Sequence, residues 1–178
     1  MTSTSAPAPD ATTKPRWVPA YIALGSNLDE PARQGARALE ALTELPATTV
    51  QLCSSSYRSR PFGPVAQPDF VNAVAAVLTQ LDAHTLLREL KRLETRLGRA
   101  APVVRWAPRL IDLDLLVHDR TRCSDDTLTL PHPGLAQREF VLVPLAEICP
   151  SLDVPGVGKV SALAQALGPA TTLERIDA

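Results

Sequence analysis

Apolar positions along the chain fall into short runs and helical stripes that alternate in a definite order. Val18 to Leu24 is a short apolar run ending at Gly25-Ser26-Asn27, which predicts a buried strand meeting a turn. Asp29 then stands where a helix cap is wanted, with Pro31 in the first turn and Ala32, Ala36, Leu39, Leu42 and Leu45 recurring on one face. Thr48 to Tyr57 and Phe70 to Thr79 are rich in β-branched or small apolar residues and lack a helical period, so both read as strands. The segment between them, Ser59 to Asp69, contains Pro61, Pro64 and Pro68, and a connection of this length is either functional or unstructured. Asp82 is placed to cap a second helix, whose Leu86, Leu90, Leu93 and Leu97 form a stripe that Gly98 stops. After a loop from Arg99 to Pro108, Leu110 to Val117 reads as a strand, followed by turn residues and an extended piece at Thr127 to Leu130. Pro131-His132-Pro133-Gly134 excludes regular helix and central strand, Phe140 to Leu145 reads as one more strand, and Val160 to Leu167 as a closing helix. The order β-α-β-β-α-β with C-terminal additions predicts an α+β, ferredoxin-like split βαβ sandwich, helices packing on one face of a largely antiparallel sheet.

Composition narrows the class without naming the chemistry. A chain of 178 residues fits one domain; we expect residues 17–178 to form it and the Ser-, Thr-, Ala- and Pro-rich residues 1–16 to be a disordered tail. No apolar run is long enough to span a membrane, and the tail lacks the charged and apolar regions of a secretory signal. Cys53, Cys123 and Cys149 are odd in number and widely spaced, which argues against a disulfide framework or a zinc site and fits a reducing cytoplasm. A net charge of -1 provides no general attraction to nucleic acid or membrane. Of the 18 basic residues all but Lys14, Lys91 and Lys159 are arginine, a choice suited to bidentate binding of phosphate or carboxylate. A GC-rich genome would produce the same bias, so position has to decide between the two.

Position points to Asp112-Leu113-Asp114. In a strand Ile111, Leu113, Leu115 and Val117 share one face, which leaves Asp112 and Asp114 side by side on the other. Two such carboxylates either form a solvated acidic edge or converge on magnesium ions for phosphoryl chemistry. The preceding loop holds Arg99, Arg105, Trp106 and Arg109, cations and an aromatic suited to clamping phosphates and to closing over a substrate. His132, Arg138 and Phe140 add a further basic and aromatic group, and Phe70 and Asn72 alternate onto one strand face where they could stack on and hydrogen-bond a flat heterocycle. The chain has neither a P-loop nor a dinucleotide-binding glycine motif. With 4% aromatic residues it also lacks the aromatic cluster by which RNA-recognition modules of similar element order stack bases.

Ala23 to Leu28, Ser59 to Asn72, Arg105-Trp106-Ala107-Pro108-Arg109 with Asp112-Leu113-Asp114, and Pro131-His132-Pro133 with Arg138 to Leu145 together resemble the 6-hydroxymethyl-7,8-dihydropterin pyrophosphokinase family of folate biosynthesis. The resemblance implies conversion of ATP and the pterin alcohol to AMP and the pterin diphosphate. It implies two magnesium ions on Asp112 and Asp114, with Arg99 and Arg109 assisting catalysis. It places the pterin among Ser59, Phe62, Phe70, Asn72, Asp112 and Phe140, and ATP among Lys91, Glu94, Arg99, Arg105, Trp106, Arg109, Leu115, His132 and Arg138. Lys91, Ala101, Ala107 and Pro133 depart from the family's commonest pattern. A cytoplasmic monomer with small-molecule substrates, and no nucleic-acid or membrane partner, is expected.

Overall fold

A computed structural model describes residues 15–61, 66–99 and 107–176. Strand β1 (Val18–Ser26) occupies an interior position in the sheet, flanked on one side by β4 (Phe70–Thr79) and on the other by β5 (Asp112–His118). Beyond β4 lie β2 (Thr48–Cys53) and β3 (Ser56–Ser59), which pair with successive parts of it. All these pairings are antiparallel. Helices α1 (Pro31–Leu42) and α2 (Ala83–Arg96) fill the two crossovers and complete the ferredoxin-like fold.

The alternation of β1 explains the layering. Ala20, Ile22 and Leu24 face α1 and α2 and join Ala75, Val77, Leu86, Leu90, Leu113 and Leu115 in one core. Tyr21 points the opposite way, into a second core with Val74, Leu116, Leu142 and Leu145. The C-terminal additions cover this second face with α3 (Glu139–Ile148) and α4 (Val160–Leu167). Helices α1 and α2 therefore pack on one face of the sheet and α3 on the other, with α4 packed on α3, so helices are not confined to one face as expected.

Local differences from the expectations have identifiable causes. Phe140 to Leu145 is helical, within α3, and not a strand. Its apolar run is buried between the sheet and α4, and a short, wholly apolar segment has no periodicity that separates a buried helix from a buried strand. The expected strand from Thr48 to Tyr57 is divided into β2 and β3. Asp29 does not cap α1: both it and Glu30 adopt positive φ, and the cap position falls on Glu30 without a side-chain bond. Instead the buried Gln34 amide donates to Asp29 O at 2.8 Å. The buried face of α1 is correspondingly Ala38, Ala41 and Leu42 with Gln34, while Ala36 is exposed. Asp82 does cap α2, accepting from Thr85 N at 3.0 Å, and Gly98 follows at φ 99°. Three further strands appear, β8 (Asp153–Val154), β9 (Gly158–Lys159) and β10 (Leu173–Ile176), the last extending the main sheet beside β3. The short pair β6 (Cys123–Ser124) and β7 (Thr129–Leu130) lies apart from it.

The turn between β2 and β3 is pinned to α3 by one carboxylate. Glu147 accepts from Ser55 N at 3.0 Å, Ser55 Oγ at 2.7 Å and Tyr57 Oη at 3.0 Å. Partial burial works to raise its pKa, but these donors outweigh burial and hold it below the usual carboxylate range. Its stabilising contribution is therefore complete above the unfolded-state pKa and is lost as pH falls through the lower folded value. We predict that Glu147→Gln costs about 0.5–1 kcal/mol at pH 7, a figure kept small by exposure. The difference from the parent chain should shrink below pH ~4, as measured by denaturant unfolding at the two pH values.

Candidate active site

Three strands bring one row of residues together. In register, Asn72 of β4 lies opposite Gly25 of β1, and Gly25 lies opposite Asp112 of β5. One step along, Val74, Ala23 and Asp114 form the parallel row. All point to the α3 face, and because Gly25 and Ala23 project little or nothing, the middle of the sheet becomes a floor between an amide and two carboxylates. The cleft above it is lined by Ser59, Phe70, Asn72, Asp112, Asp114 and Phe140, and also by Arg109, His132 and Arg138. At the β4 end Asn72 Nδ2 donates to Ser59 Oγ at 2.9 Å, and both residues are buried.

The β5 end is a dense ionic cluster. Arg99 Nη1 lies 2.5 Å from both Glu94 Oε2 and Asp112 Oδ1, and Arg109 pairs with Asp112 Oδ2. Lys91 Nζ sits 3.7 Å from Asp114 and 3.9 Å from Asp112. Burial pushes the Asp112 carboxyl up, but Arg109, Lys91 and Arg99 together more than offset it and hold it below the usual range. Burial works to lower Arg99, yet Asp112 and Glu94 raise it, so its guanidinium stays charged.

Because β5 is the edge of the sheet, its outer backbone groups need partners from elsewhere. Glu94 accepts from Leu113 N at 2.6 Å, Lys91 Nζ donates to Leu113 O at 2.9 Å, and His132 N donates to Leu116 O at 2.8 Å. The last bond sets His132 beside β5, with Nε2 4.0 Å from Asp114 Oδ2. His132 Nδ1 accepts from Gly134 N at 3.1 Å, which assigns the neutral ring's proton to Nε2, toward the cleft. Burial favours that neutral form, pushing the imidazole below its ordinary pKa against the pull of Asp114. Gly134 also makes room for Arg138, since a Cβ there would sit 2.7 Å from the guanidinium carbon. That carbon lies 5.9 Å from the Phe140 ring centroid, within cation–π range.

Two sets of comparisons bear on this arrangement. Residues 21–150 match the family model described as 7,8-dihydro-6-hydroxymethylpterin-pyrophosphokinase. A Haemophilus influenzae protein named 2-amino-4-hydroxy-6-hydroxymethyldihydropteridine pyrophosphokinase is 46% identical over 138 residues, covering 78% of this chain and 86% of its own length. The Methylorubrum extorquens protein of that name is 42% identical over 158 residues, 89% of this chain and 98% of its own. The chain belongs to the 7,8-dihydro-6-hydroxymethylpterin-pyrophosphokinase family. It is a pyrophosphoryl-transferring enzyme. Among solved structures, wild-type Plasmodium falciparum HPPK-DHPS with pteroate superposes at a TM-score of 0.74 with 12% identity, over 94% of this chain and 49% of that one. The same protein with pterin and p-hydroxybenzoate gives 0.67 at 13% identity, over 94% and 48%. This chain thus spans about half of those solved chains, and at such identity the likeness concerns the fold alone.

In this pyrophosphokinase-family chain the residues expected at the site do not all reach the cleft. Phe62, Arg105 and Trp106, and with them most of the loop expected to close, lie outside the described residues. Leu115 buries its side chain in the core beneath α1 and α2. Glu94 is buried between α2 and β5, where burial raises its carboxyl pKa against Lys91, Leu113 N–H and Arg99, and it holds Lys91 and Arg99 without lining the cleft. Other residues were not singled out from sequence. Asn27 is buried, donates to Gln67 Oε1 at 2.9 Å and Pro68 O at 3.2 Å, and accepts from Arg109 N at 2.7 Å, tying together the two segments that flank the cleft. Its sequence signals are its place in the Gly25-Ser26-Asn27 turn and in the segment from Ala23 to Leu28 that carries the family resemblance. The sequence places Gly25 at a turn, whereas the register makes it the floor. A Cβ at Gly25 would stand 3.3 Å from Asn72 Oδ1 and 4.0 Å from the Phe70 ring. We predict that Gly25→Ala weakens binding of a flat ligand in the cleft about ten-fold by narrowing it, with a thermal midpoint close to that of the parent chain; calorimetry and a thermal melt measure the two.

Proposed function

We propose that this chain moves the terminal pyrophosphate of ATP onto the hydroxymethyl oxygen of 6-hydroxymethyl-7,8-dihydropterin, releasing AMP, within one domain spanning residues 17–178. The observation that carries the reading is the row Asn72–Gly25–Asp112, which sets a hydrogen-bonding amide and a pair of carboxylates at opposite ends of one flat floor. The pterin lies on that floor with Phe70 and Phe140 against its ring faces, while Asn72 and Ser59 meet its polar edge. Its hydroxymethyl group then points toward Asp112 and Asp114. Phe62 belongs to the same pocket in this reading.

ATP occupies the basic end, on Lys91, Arg99, Arg105, Arg109, His132 and Arg138, with Trp106, Leu115 and Glu94 supporting it. The donor set suits magnesium: Asp112 and Asp114 offer hard oxygen atoms, their side chains are 16% and 36% exposed, and magnesium is bound by one or two carboxylates with phosphate and water completing its shell. Two magnesium ions held by these residues would neutralise the phosphates and polarise the β-phosphorus. The chain's own part is positional and electrostatic. Arg99 and Arg109 exchange Asp112 for phosphate oxygens, which frees both Asp112 oxygens and puts fixed positive charge where negative charge accumulates. The new bond joins the pterin oxygen to the β-phosphorus, the broken one joins that phosphorus to the oxygen AMP retains, and the hydroxyl proton is released. A cytoplasmic, monomeric protein completes the proposal; among the described residues no helix is long and apolar enough to cross a membrane.

Incubation with ATP, magnesium and the pterin alcohol should yield AMP and no ADP; ADP as the nucleotide product would overturn the reading. Asp112→Asn and Asp114→Asn should each lower turnover by about 100-fold or more while the circular dichroism spectrum is preserved. Phe140→Ala should weaken pterin binding about ten-fold and ATP binding by less than two-fold, because a stacking face is lost to one ligand only; calorimetry with each ligand separately checks the division.

A further inference from the structure

The C-terminal strand lies beyond the residues that match the family model, which end at 150, yet it is built into a wall of the cleft. Strand β3 has only four residues and would be the sheet's edge without β10, which pairs with all of them. The Cα partner of Ser59 in this ladder is Leu173. On its other side Ser59 is opposite Phe70, and its hydroxyl accepts from Asn72. Two further lining residues of the cleft, Phe70 and Asn72, are therefore connected to β10 through Ser59. A second tie leads to the facing wall. Thr172 Oγ1 donates to Glu139 Oε2 at 2.5 Å, and Glu139 is the first residue of α3, directly before Phe140. Arg58 and Glu174 add an ion pair of 2.7 Å along the same ladder. A recess lined by Arg58, Ser59, Arg60, Thr172 and Leu173 shares Ser59 and Arg60 with the lining of the main cleft.

We propose that β10 is a strap that sets the width of the pterin slot. It holds Ser59 on one side and the first turn of α3, with Phe140, on the other, and Thr172 is its positioning residue. The inference rests on the pterin reading of the cleft. It assigns no contact between β10 and either substrate: the strand acts through Ser59 and Phe140. Of the nucleotide contacts, Lys91, Arg99, Arg109 and His132 lie at the β5 end of the floor, while Arg138 directly precedes Glu139.

Thr172→Val removes the hydroxyl and keeps the shape, and Thr172→Ser keeps the hydroxyl. Binding of 6-hydroxymethylpterin and, separately, of α,β-methylene-ATP with magnesium is measured by calorimetry on the full chain, together with KM for each substrate. For Thr172→Val we expect the pterin Kd and KM to rise about five-fold, the loss of one exposed charge-assisted hydrogen bond. The nucleotide values and kcat should stay within two-fold, and Thr172→Ser should behave as the parent. Leu173→Pro, which disturbs the ladder opposite Ser59, should show the same split more strongly. Unchanged pterin binding in folded Thr172→Val and Leu173→Pro would overturn the strap, as would an equal loosening of both ligands. Failure of the parent chain to bind the pterin would overturn the functional reading, and the strap with it; parent binding with unaltered variants would overturn the strap alone.

Discussion

Asp112 and Asp114 stand two residues apart on one face of an edge strand, and their mutual repulsion has to be offset before the cleft can exist. The compensation comes from outside the strand. Lys91 reaches around the sheet edge from α2, Arg99 follows the end of the same helix, and Arg109 precedes β5. Glu94 holds the first two cations while bonding the backbone of Leu113. The same contacts that seal the open edge of β5 therefore orient the charges of the site. This explains why a buried carboxylate outside the cleft belongs to its machinery, and why α2 must dock on β5 for the basic end to form.

The opposite end depends on packing and not on charge. A flat ligand needs floor space, and the sheet provides it where an interior strand carries Gly25 and Ala23 between longer neighbours. Side chains on flanking strands become walls because their partner on β1 has almost none. Asn27, directly after β1, then bonds Gln67, Pro68 and Arg109, so the end of this strand positions both flanking segments. One strand thus supplies the floor and the tether for what surrounds it.

The roof comes from the C-terminal part of the chain. Without α3 the face bearing Tyr21, Val74 and Leu116 would be open to water; with it, the same burial that stabilises the second core brings Phe140 and Val141 over the cleft. The Glu147 contacts at the far end of α3 and the Thr172–Glu139 bond at its start hold the helix at both ends. Stability and ligand geometry are shared tasks of this layer.

Much of this was legible in the residues themselves. Apolar runs located β1 and β5, small and β-branched apolar content located β4, and a 3.6-residue leucine stripe located α2, whose ends the Asp82 cap and Gly98 stop marked, because these signals come from local sterics and hydrogen bonding. The alternation Asp112-Leu113-Asp114 placed the two acids on one face for the same local reason. Tertiary structure alone decided the remainder. Phe140 to Leu145 became a helix since a fully apolar run carries no period and burial beside α4 selected its form. Gly25 became a floor, Asn27 a tether and β10 a strap because each depends on pairing between segments tens of residues apart, such as Leu173 with Ser59 and Asn27 with Arg109. Side-chain type and spacing state what a strand or helix will bury; which distant backbone lies beside it is settled only when the whole sheet assembles.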